Sequence, residues 1–189
     1  MTCLAHQLAA TRNMLVAEDV DLIRELTRLL PVDKDVLVAN FGSGSGTTAL
    51  AVFAERKEHI HIVSVDIDPN LLTYCSQVVE RIGCTHSHTI FAGDTSKPDF
   101  RQKEWKVLNA PLDLLLIDTS HKLVEIRHEL AVWLPKLVAG GYLWMHDYEK
   151  SPDGDNLFPD VKKAVGEVLT RGLVQTYKKV GCGWSGKKL

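Results

Sequence analysis

The stretch that most constrains the fold is a strand that runs directly into glycines at alternate positions. Residues 36–40 are mostly apolar and β-favouring, Gly42, Gly44 and Gly46 follow, and residues 49–55 are helix-forming. This order predicts a buried strand, a tight turn and a helix N-terminus. Glycine permits a positive φ and a close approach to a ligand, and the free N–H groups of a helix start can bind polar ligand atoms. The turn either binds a ligand or only packs the strand against the helix.

The glycine spacing disfavours two common nucleotide-binding motifs. A dinucleotide fingerprint has its third glycine three residues after the second, where this chain has Thr47. A phosphate-binding loop ends in Gly-Lys-Ser/Thr, and no lysine occurs between Asp35 and Lys57. The Gly-x-Gly-x-Gly run instead resembles the first motif of class I S-adenosylmethionine (SAM)-dependent methyltransferases.

Strands and helices alternate along the rest of the chain. Further strands are predicted at 60–66, 89–92, 112–117 and 142–145, and a hairpin at 173–180 and 182–186. Helices are predicted at 18–30, from Pro69 to Ile82, at 121–138 with its end at Gly140-Gly141, and at 161–169. The pattern predicts an α/β fold with a doubly wound, mainly parallel Rossmann-like sheet of about seven strands, an antiparallel C-terminal hairpin and helices on both faces. We expect a single domain over residues 1–189, with an N-terminal helical region at 1–30 whose first 17 residues form a short helix or a mobile arm.

Composition narrows the class of protein. A net charge of -2 argues against general nucleic-acid binding. No apolar run approaches the roughly 20 residues of a membrane-spanning helix, and residues 1–10 show no secretory signal. The four cysteines form no Cys-x-x-Cys pair, so we expect reduced thiols in a cytoplasmic protein.

An acidic residue follows each of four predicted strands: Asp66, Asp94, Asp118 and Asp147. A lone aspartate there is usually a turn former or a helix cap, but four on one edge of a sheet suit a cationic ligand or a metal ion. In this architecture ligands bind outside the carboxyl ends of the strands. Asp66 lies 24 residues after Gly42, which suits a carboxylate that accepts hydrogen bonds from a ribose. Asp94 either accepts from an adenine amino group or caps Thr95-Ser96.

Several later segments resemble one branch of the class I methyltransferases. In that branch an Ile-Asp-x-x-His segment precedes a helix that ends in Trp-Leu-Pro, and Gly-Gly leads to a strand closed by His-Asp-Tyr. A Pro-x-Val-x-x-Ala-Val segment often follows. The matching residues are 114–121, 129–137, 140–148 and 158–165. The likeness runs from about residue 36 to residue 169. Relatives in that branch include small-molecule O-methyltransferases and sugar- or antibiotic-modifying enzymes, several of them metal-dependent.

The resemblance implies a set of SAM-binding residues. Members of the family commonly carry Glu or Asp where this chain has Asn40, which keeps hydrogen-bonding groups but brings no negative charge. The implied cofactor contacts are Asn40, Gly42, Ser43, Gly44, Gly46, Asp66, Ile67, Asp94, Thr95 and Asp118.

The resemblance also implies a metal-assisted reaction centre. Asp118 and Asp147 follow neighbouring strands, so they can face each other and, with His146, hold Mg²⁺ or Mn²⁺. Such a cation would orient a substrate hydroxyl and favour its deprotonation. Asp118 and His121 are the expected catalytic residues, with His121 as base or orienting group; His146 is a base, a nitrogen ligand or a polar loop residue.

The function we expect is SAM-dependent O-methylation of a small-molecule hydroxyl, with or without a divalent cation. Two alternatives stay open: a non-catalytic nucleotide- or SAM-binding protein, and an NAD-dependent oxidoreductase, against which the glycine spacing argues. The expected partner is a small-molecule acceptor, recognised by residues 1–30, 95–111 and 148–159. A homo-oligomer would help to close so small a cleft.

Overall fold

The computed structural model describes residues 4–12, 15–56, 58–99, 104–149 and 158–189. Within them the strands are β1 (Val36–Phe41), β2 (Ile60–Asp66), β3 (His88–Ala92), β4 (Leu112–Ile117), β5 (Leu137–Met145), β6 (Val174–Val180) and β7 (Gly183–Lys188). The α-helices are α1 (Leu4–Arg12), α2 (Ala17–Arg28), α3 (Thr47–Glu55), α4 (Pro69–Arg81), α5 (Leu123–Trp133) and α6 (Pro159–Thr170).

All seven strands form one sheet in the order β3-β2-β1-β4-β5-β7-β6. The first five are parallel, with Asn40 of β1 in register with Ser64 of β2 and Leu116 of β4. β7 runs antiparallel between β5 and β6. The predicted fold class is therefore confirmed. The chain order reverses at β1, so the ends of β1, β2 and β4 meet where ligands bind in such sheets.

Both faces of the sheet are covered by helices, which is why its central strands are apolar along their whole length. On one face α1, α2 and α3 pack against residues such as Val38 and Leu116. On the other face α5 and α6 enclose a second core, where Phe41 lies 4.8 Å from Trp133 between ring centroids. These two cores fix the position of the strand ends.

The predicted helix over 121–138 is wrong at its C-terminal end. The α-helix stops at Trp133, a 3₁₀ turn covers Leu134–Lys136, and β5 already begins at Leu137. Pro135 removes a backbone donor, and Leu137 is buried in register with Leu112 of β4. Gly140 and Gly141 therefore lie inside a strand, because pairing with β4 overrides the local helical pattern.

The N-terminal region forms two helices that pack on the first face of the sheet. α1 contacts α2 and α3, and α2 contacts α3 and β6. No described helix has both the length and the apolar character needed to cross a membrane. Of the segments expected to recognise the acceptor, residues 1–3, 13–14, 100–103 and 150–157 lie outside the described residues.

Candidate active site

The glycine turn after β1 has three residues with positive φ: Gly42 (69°), Gly44 (51°) and Gly46 (94°). A Cβ on Gly42 would lie 1.7 Å from the carbonyl oxygen of Asp118, and one on Gly46 would lie 3.1 Å from Cα of Cys75. These two glycines thus permit close backbone packing against the end of β4 and against α4. At Gly44 the amide donates to Asp66 Oδ2 over 2.8 Å.

A cavity of about 480 Å³ opens beside this turn, at the carboxyl ends of β1, β2, β3 and β4. Its size suits a small-molecule ligand. Other lining residues include Gly93, Ser96, Lys97, Thr119, Ser120, Lys122, Glu125 and Glu129. The structure brings six of the predicted cofactor residues to its wall: Gly42, Asp66, Ile67, Asp94, Thr95 and Asp118.

Asp66 is a buried carboxylate at the wall of the cavity, held by two backbone amides. It is 8% exposed, and it accepts hydrogen bonds from the amides of Gly44 at 2.8 Å and Asp68 at 2.9 Å. A carboxylate has about four lone-pair sites, so it can accept two more hydrogen bonds. Neighbouring Ile67 is 75% exposed and offers an apolar surface to the same cavity.

Asp94 forms a local turn as well as lining the cavity. Its Oδ1 accepts from the amide of Ser96 at 3.0 Å and from the Ser96 hydroxyl at 2.6 Å. Hydrogen bonds from Ser96 lower the pKa of Asp94, and Lys97 assists. The side chain of Asp94 therefore caps the turn at Thr95-Ser96, which is one of the two predicted roles. Its second oxygen, Oδ2, lies 3.5 Å from Lys97 Nζ.

Other residues predicted to contact the cofactor are not among those that line the cavity. Asn40 is 1% exposed; its amide group donates to Ser64 Oγ and accepts from Thr48 Oγ1, so the side chain is occupied inside the protein. Ser43 is buried at 3% exposure. Asn40 and Ser43 are thus placed as internal residues, and Gly44 reaches the site through Asp66.

Glu129 of α5 is a cavity residue that the sequence analysis missed. It is 1% exposed, and its carboxyl accepts hydrogen bonds from the hydroxyls of Thr95 and, at 2.7 Å, Thr119. Burial raises its pKa. The available signal was its position three residues after Ile126 and four before Trp133, on the apolar face of the helix.

His146 follows β5 and is surrounded by carboxylates. Its Nδ1 lies 3.2 Å from Asp118 Oδ1 and 3.4 Å from Asp147 Oδ2, and Nε2 lies 3.4 Å from Asp19 Oδ2. Burial opposes charging of the ring, but the surrounding carboxylates raise the pKa of His146 far above its usual range. The ring presents Nδ1 to Asp118 and Asp147 and Nε2 to Asp19, so a positive charge on it would balance these carboxylates. The role of His146 as a metal ligand beside Asp118 and Asp147 stays a prediction.

A second histidine, His121, lies beside the same two carboxylates. One ligand atom from each of Asp118, His121 and Asp147 lies within 4.8 Å of the others. His121 Nε2 is 2.7 Å from Asp147 Oδ2, and its ring stacks on Phe158 with centroids 3.7 Å apart. Burial opposes ionisation of Asp147, but His121 and His146 lower its pKa well below the usual range. Two carboxylates and one imidazole suit a divalent cation.

Solved structures show the same fold as this chain. A Staphylococcus aureus protein assigned as a caffeoyl-CoA O-methyltransferase superimposes with a TM-score of 0.73 at 13% identity, covering 97% of this chain and 90% of that one. The O-methyltransferase TomG from Streptomyces achromogenes, solved with SAM, gives 0.69 at 14% identity, covering 99% and 86%. The Podospora anserina methyltransferase PaMTH1, bound to S-adenosylhomocysteine (SAH), gives 0.70 at 13% identity, covering 98% and 86%.

Sequence comparison places the chain in a family. No curated protein matches it. A family model described as a methyltransferase domain matches residues 39–148, from β1 through the residues that follow β5. That segment holds the glycine turn, Asp66, Asp118 and Asp147. Since the match covers more than half of the chain, the protein belongs to this family of methyltransferase domains.

Proposed function

We propose that the protein transfers a methyl group from SAM to a hydroxyl oxygen of a small molecule. The observation that carries the proposal is Asp66, held by the Gly44 amide at the wall of a ligand-sized cavity with acceptor sites to spare. The SAM-bound and SAH-bound structures of similar fold support the choice of cofactor. The O-methyltransferase TomG supports oxygen as the acceptor atom.

The charges around the cavity fit a cationic ligand. Asp66, Asp94, Asp118 and Glu125 outnumber the two lysines of its lining, Lys97 and Lys122, so a sulfonium would meet negative potential. Bound SAM supplies an electrophilic methyl group on that sulfonium. Asp66 would accept hydrogen bonds from the ribose hydroxyls, and Ile67 would cover an apolar part of the ligand. The protein's own contribution is largely to hold the two reactants in line.

Asp118, His121 and Asp147 would hold a divalent cation at the reaction centre. Mg²⁺ prefers oxygen ligands throughout, whereas imidazole suits transition metals, so we propose Mn²⁺ ahead of Mg²⁺. Bound there, the cation would lower the pKa of the acceptor hydroxyl. Without a cation, His121, oriented by Asp147, would serve as the general base. His146 would keep the two carboxylates in position in either case.

The expected setting of the enzyme is the cytoplasm. Cys75, Cys84 and Cys182 are buried and form no disulfide among the described residues, which supports a reducing compartment. The proposed acceptor is a small molecule.

Calorimetric titration with SAM and SAH would test the cofactor assignment. We expect Asp66→Ala to weaken binding at least about tenfold, since a hydrogen bond to a charged acceptor contributes about 1.5–3 kcal/mol and 1.4 kcal/mol is a factor of ten. The matched control is Asp68→Ala. Asp68 caps α4 through the amide of Asn70, so its loss should lower stability but preserve SAM affinity.

The two variants separate a binding role from a structural one. Equal SAM affinity in wild type and Asp66→Ala would remove Asp66 from the binding site. No affinity for SAM or SAH in the folded wild type would refute the proposed function itself.

A further inference from the structure

A second cluster of metal-ligating side chains lies on the other side of the His146 ring. It joins three distant parts of the chain: Asp19 in the first turn of α2, His146 after β5, and Cys182 in the turn between β6 and β7. One ligand atom from each of the three lies within 4.8 Å of the others. The set offers one oxygen, one nitrogen and one sulfur.

The cluster is buried and contains polar atoms without hydrogen bonds. Asp19 is 0% exposed, Cys182 5% and His146 9%. Among the described residues neither Asp19 Oδ1 nor His146 Nε2 has a hydrogen-bond partner. A buried polar atom left unsatisfied destabilises the fold by about 1–3 kcal/mol. A metal ion or a water molecule that binds to the Asp19 carboxylate and to His146 Nε2 would remove this cost.

The other carboxylate oxygen, Asp19 Oδ2, accepts from the amide of Val16 at 3.3 Å, and its separation from His146 Nε2 suits a shared metal ion better than a hydrogen bond. Asp19 Oδ2 and His146 Nε2 are 3.4 Å apart, beyond the 2.7–3.2 Å usual for N–H···O. An oxygen and a nitrogen bound tetrahedrally to one zinc ion at about 2.0–2.2 Å lie about 3.4 Å from each other. The two side chains already have this spacing.

The turn that carries Cys182 is built to approach Asp19 closely. A Cβ on Gly181 or on Gly183 would lie 2.9 Å from Asp19 Oδ1. Any larger residue on either side of the cysteine would thus collide with the carboxylate. The carbonyl of Cys182 also accepts from the amides of Tyr148 and Glu149, which ties the turn to the residues that follow His146.

The second nitrogen of His146 has the partner that a metal-bound histidine usually has. Its Nδ1 lies 3.2 Å from Asp118 Oδ1, so the ring can donate there and present Nε2 to a metal. A carboxylate behind a coordinating histidine fixes the tautomer and orients the ring. The arrangement links the buried cluster directly to Asp118 of the candidate active site.

We propose that Asp19, His146 Nε2 and Cys182 Sγ bind one Zn²⁺, with water in the fourth position. The thiolate and the carboxylate together neutralise the ion, which suits a buried site. Binding displaces the protons of Sγ and Nε2 to solvent. The thiolate ligand selects zinc over Mg²⁺ and Mn²⁺. The site ties α2 and the β6–β7 turn to the strand end that carries His146 and Asp147, and it does not depend on the proposed methyl transfer.

The test is the zinc content and the zinc affinity of the purified protein. We expect one zinc per chain in the wild type by elemental analysis. Cys182→Ser should bind zinc at least 100-fold more weakly, because even the loss of an outer partner of a metal ligand weakens binding 10- to 100-fold. The matched control is Cys84→Ser, which removes another buried thiol and should keep the zinc. In Co²⁺-loaded protein, a thiolate-to-metal charge-transfer band should appear in the wild type and be lost in Cys182→Ser.

Separate measurements distinguish a variant that does not fold from one that folds but has lost zinc binding. Circular dichroism and urea unfolding report whether Cys182→Ser and Asp19→Asn are folded, and the metal-stripped wild type should melt at a higher temperature when zinc is returned. If the folded wild type binds no zinc at equimolar concentration, or if Cys182→Ser retains it with unchanged affinity, the proposal is overturned. The occupant of the cluster would then be a buried water molecule.

Discussion

Replacing Gly42 by alanine tests whether this glycine is needed for ligand approach or for the packing of strand ends. The added methyl would lie 1.7 Å from the Asp118 carbonyl oxygen and 2.4 Å from its carbon. Both atoms belong to backbone that follows β4, so no side chain can turn aside to make room. Either the turn after β1 or the end of β4 has to move.

The magnitude follows from two separate effects. Gly42 has φ = 69°, where a residue with a Cβ is disfavoured by about 1–2 kcal/mol. Overpacking a buried site destabilises by a further 1–3 kcal/mol or so. We therefore expect Gly42→Ala to lower the free energy of unfolding by about 2–5 kcal/mol, a large part of the stability of an ordinary domain.

Urea unfolding followed by tryptophan fluorescence measures this change. Trp105, Trp133, Trp144 and Trp184 are each at most 2% exposed, so their emission reports on the whole core. The control is Gly166→Ala in α6, where an added Cβ meets nothing within 4 Å. Alanine there should stabilise the protein by up to about 1 kcal/mol through helix propensity.

Comparing the stability of Gly42→Ala with that of Gly166→Ala tests whether Gly42 is needed for packing. A Gly42→Ala protein whose unfolding midpoint and slope stay close to wild type would show that the end of β4 yields readily. The packing role of Gly42 would then be refuted, and a direct role towards the ligand would regain support.

Two further changes test other parts of the site. Burial raises the pKa of Glu129 above 4.5, so the contribution of this group to stability is fully present below pH 4.5 and falls as the pH rises through the raised value. The stability of Glu129→Gln relative to wild type should therefore increase with rising pH. A stability difference between the two proteins that does not change with pH, measured by urea unfolding, would contradict this. Asp147→Asn should lower divalent-metal affinity and methyl transfer while SAM affinity stays within about twofold, and EDTA should reproduce the loss, with Mn²⁺ restoring activity better than Mg²⁺. Undiminished turnover in excess EDTA would end the metal hypothesis and leave His121 as the base.

The architecture could be predicted because the spacing of apolar residues agrees, along most of the chain, with the positions of the residues that end strands and helices. Apolar runs such as Leu112–Ile117, each closed by an aspartate, predict parallel strands and the edge at which their ends meet. The start of β5 could not be predicted, since Leu137 pairs with Leu112 across the sheet and local sequence carries no record of that register.

The site was predictable by position but not by side-chain direction. The rule that ligands bind at the carboxyl ends of parallel strands correctly indicates that Asp66 and Asp118 lie near one cavity. It cannot indicate that His146 turns inward between three carboxylates while His121 turns towards Asp147, because these orientations depend on α2 and on Phe158. The role of Gly42 is also invisible in sequence, since its constraint comes from backbone 76 residues further along.

The position of β7 between β5 and β6 has a consequence for synthesis on the ribosome. β7 pairs on one side with residues of β5, as in Tyr142 with Lys187, and on the other with β6. The five parallel strands are translated first and can begin to pair, whereas β6 has no neighbour until β7 has emerged. Until then one edge of β5, with the apolar Leu143 and Met145, lacks its partner. A ribosome that stalls before residue 183 would therefore display an open apolar strand edge, on which a second nascent chain can pair.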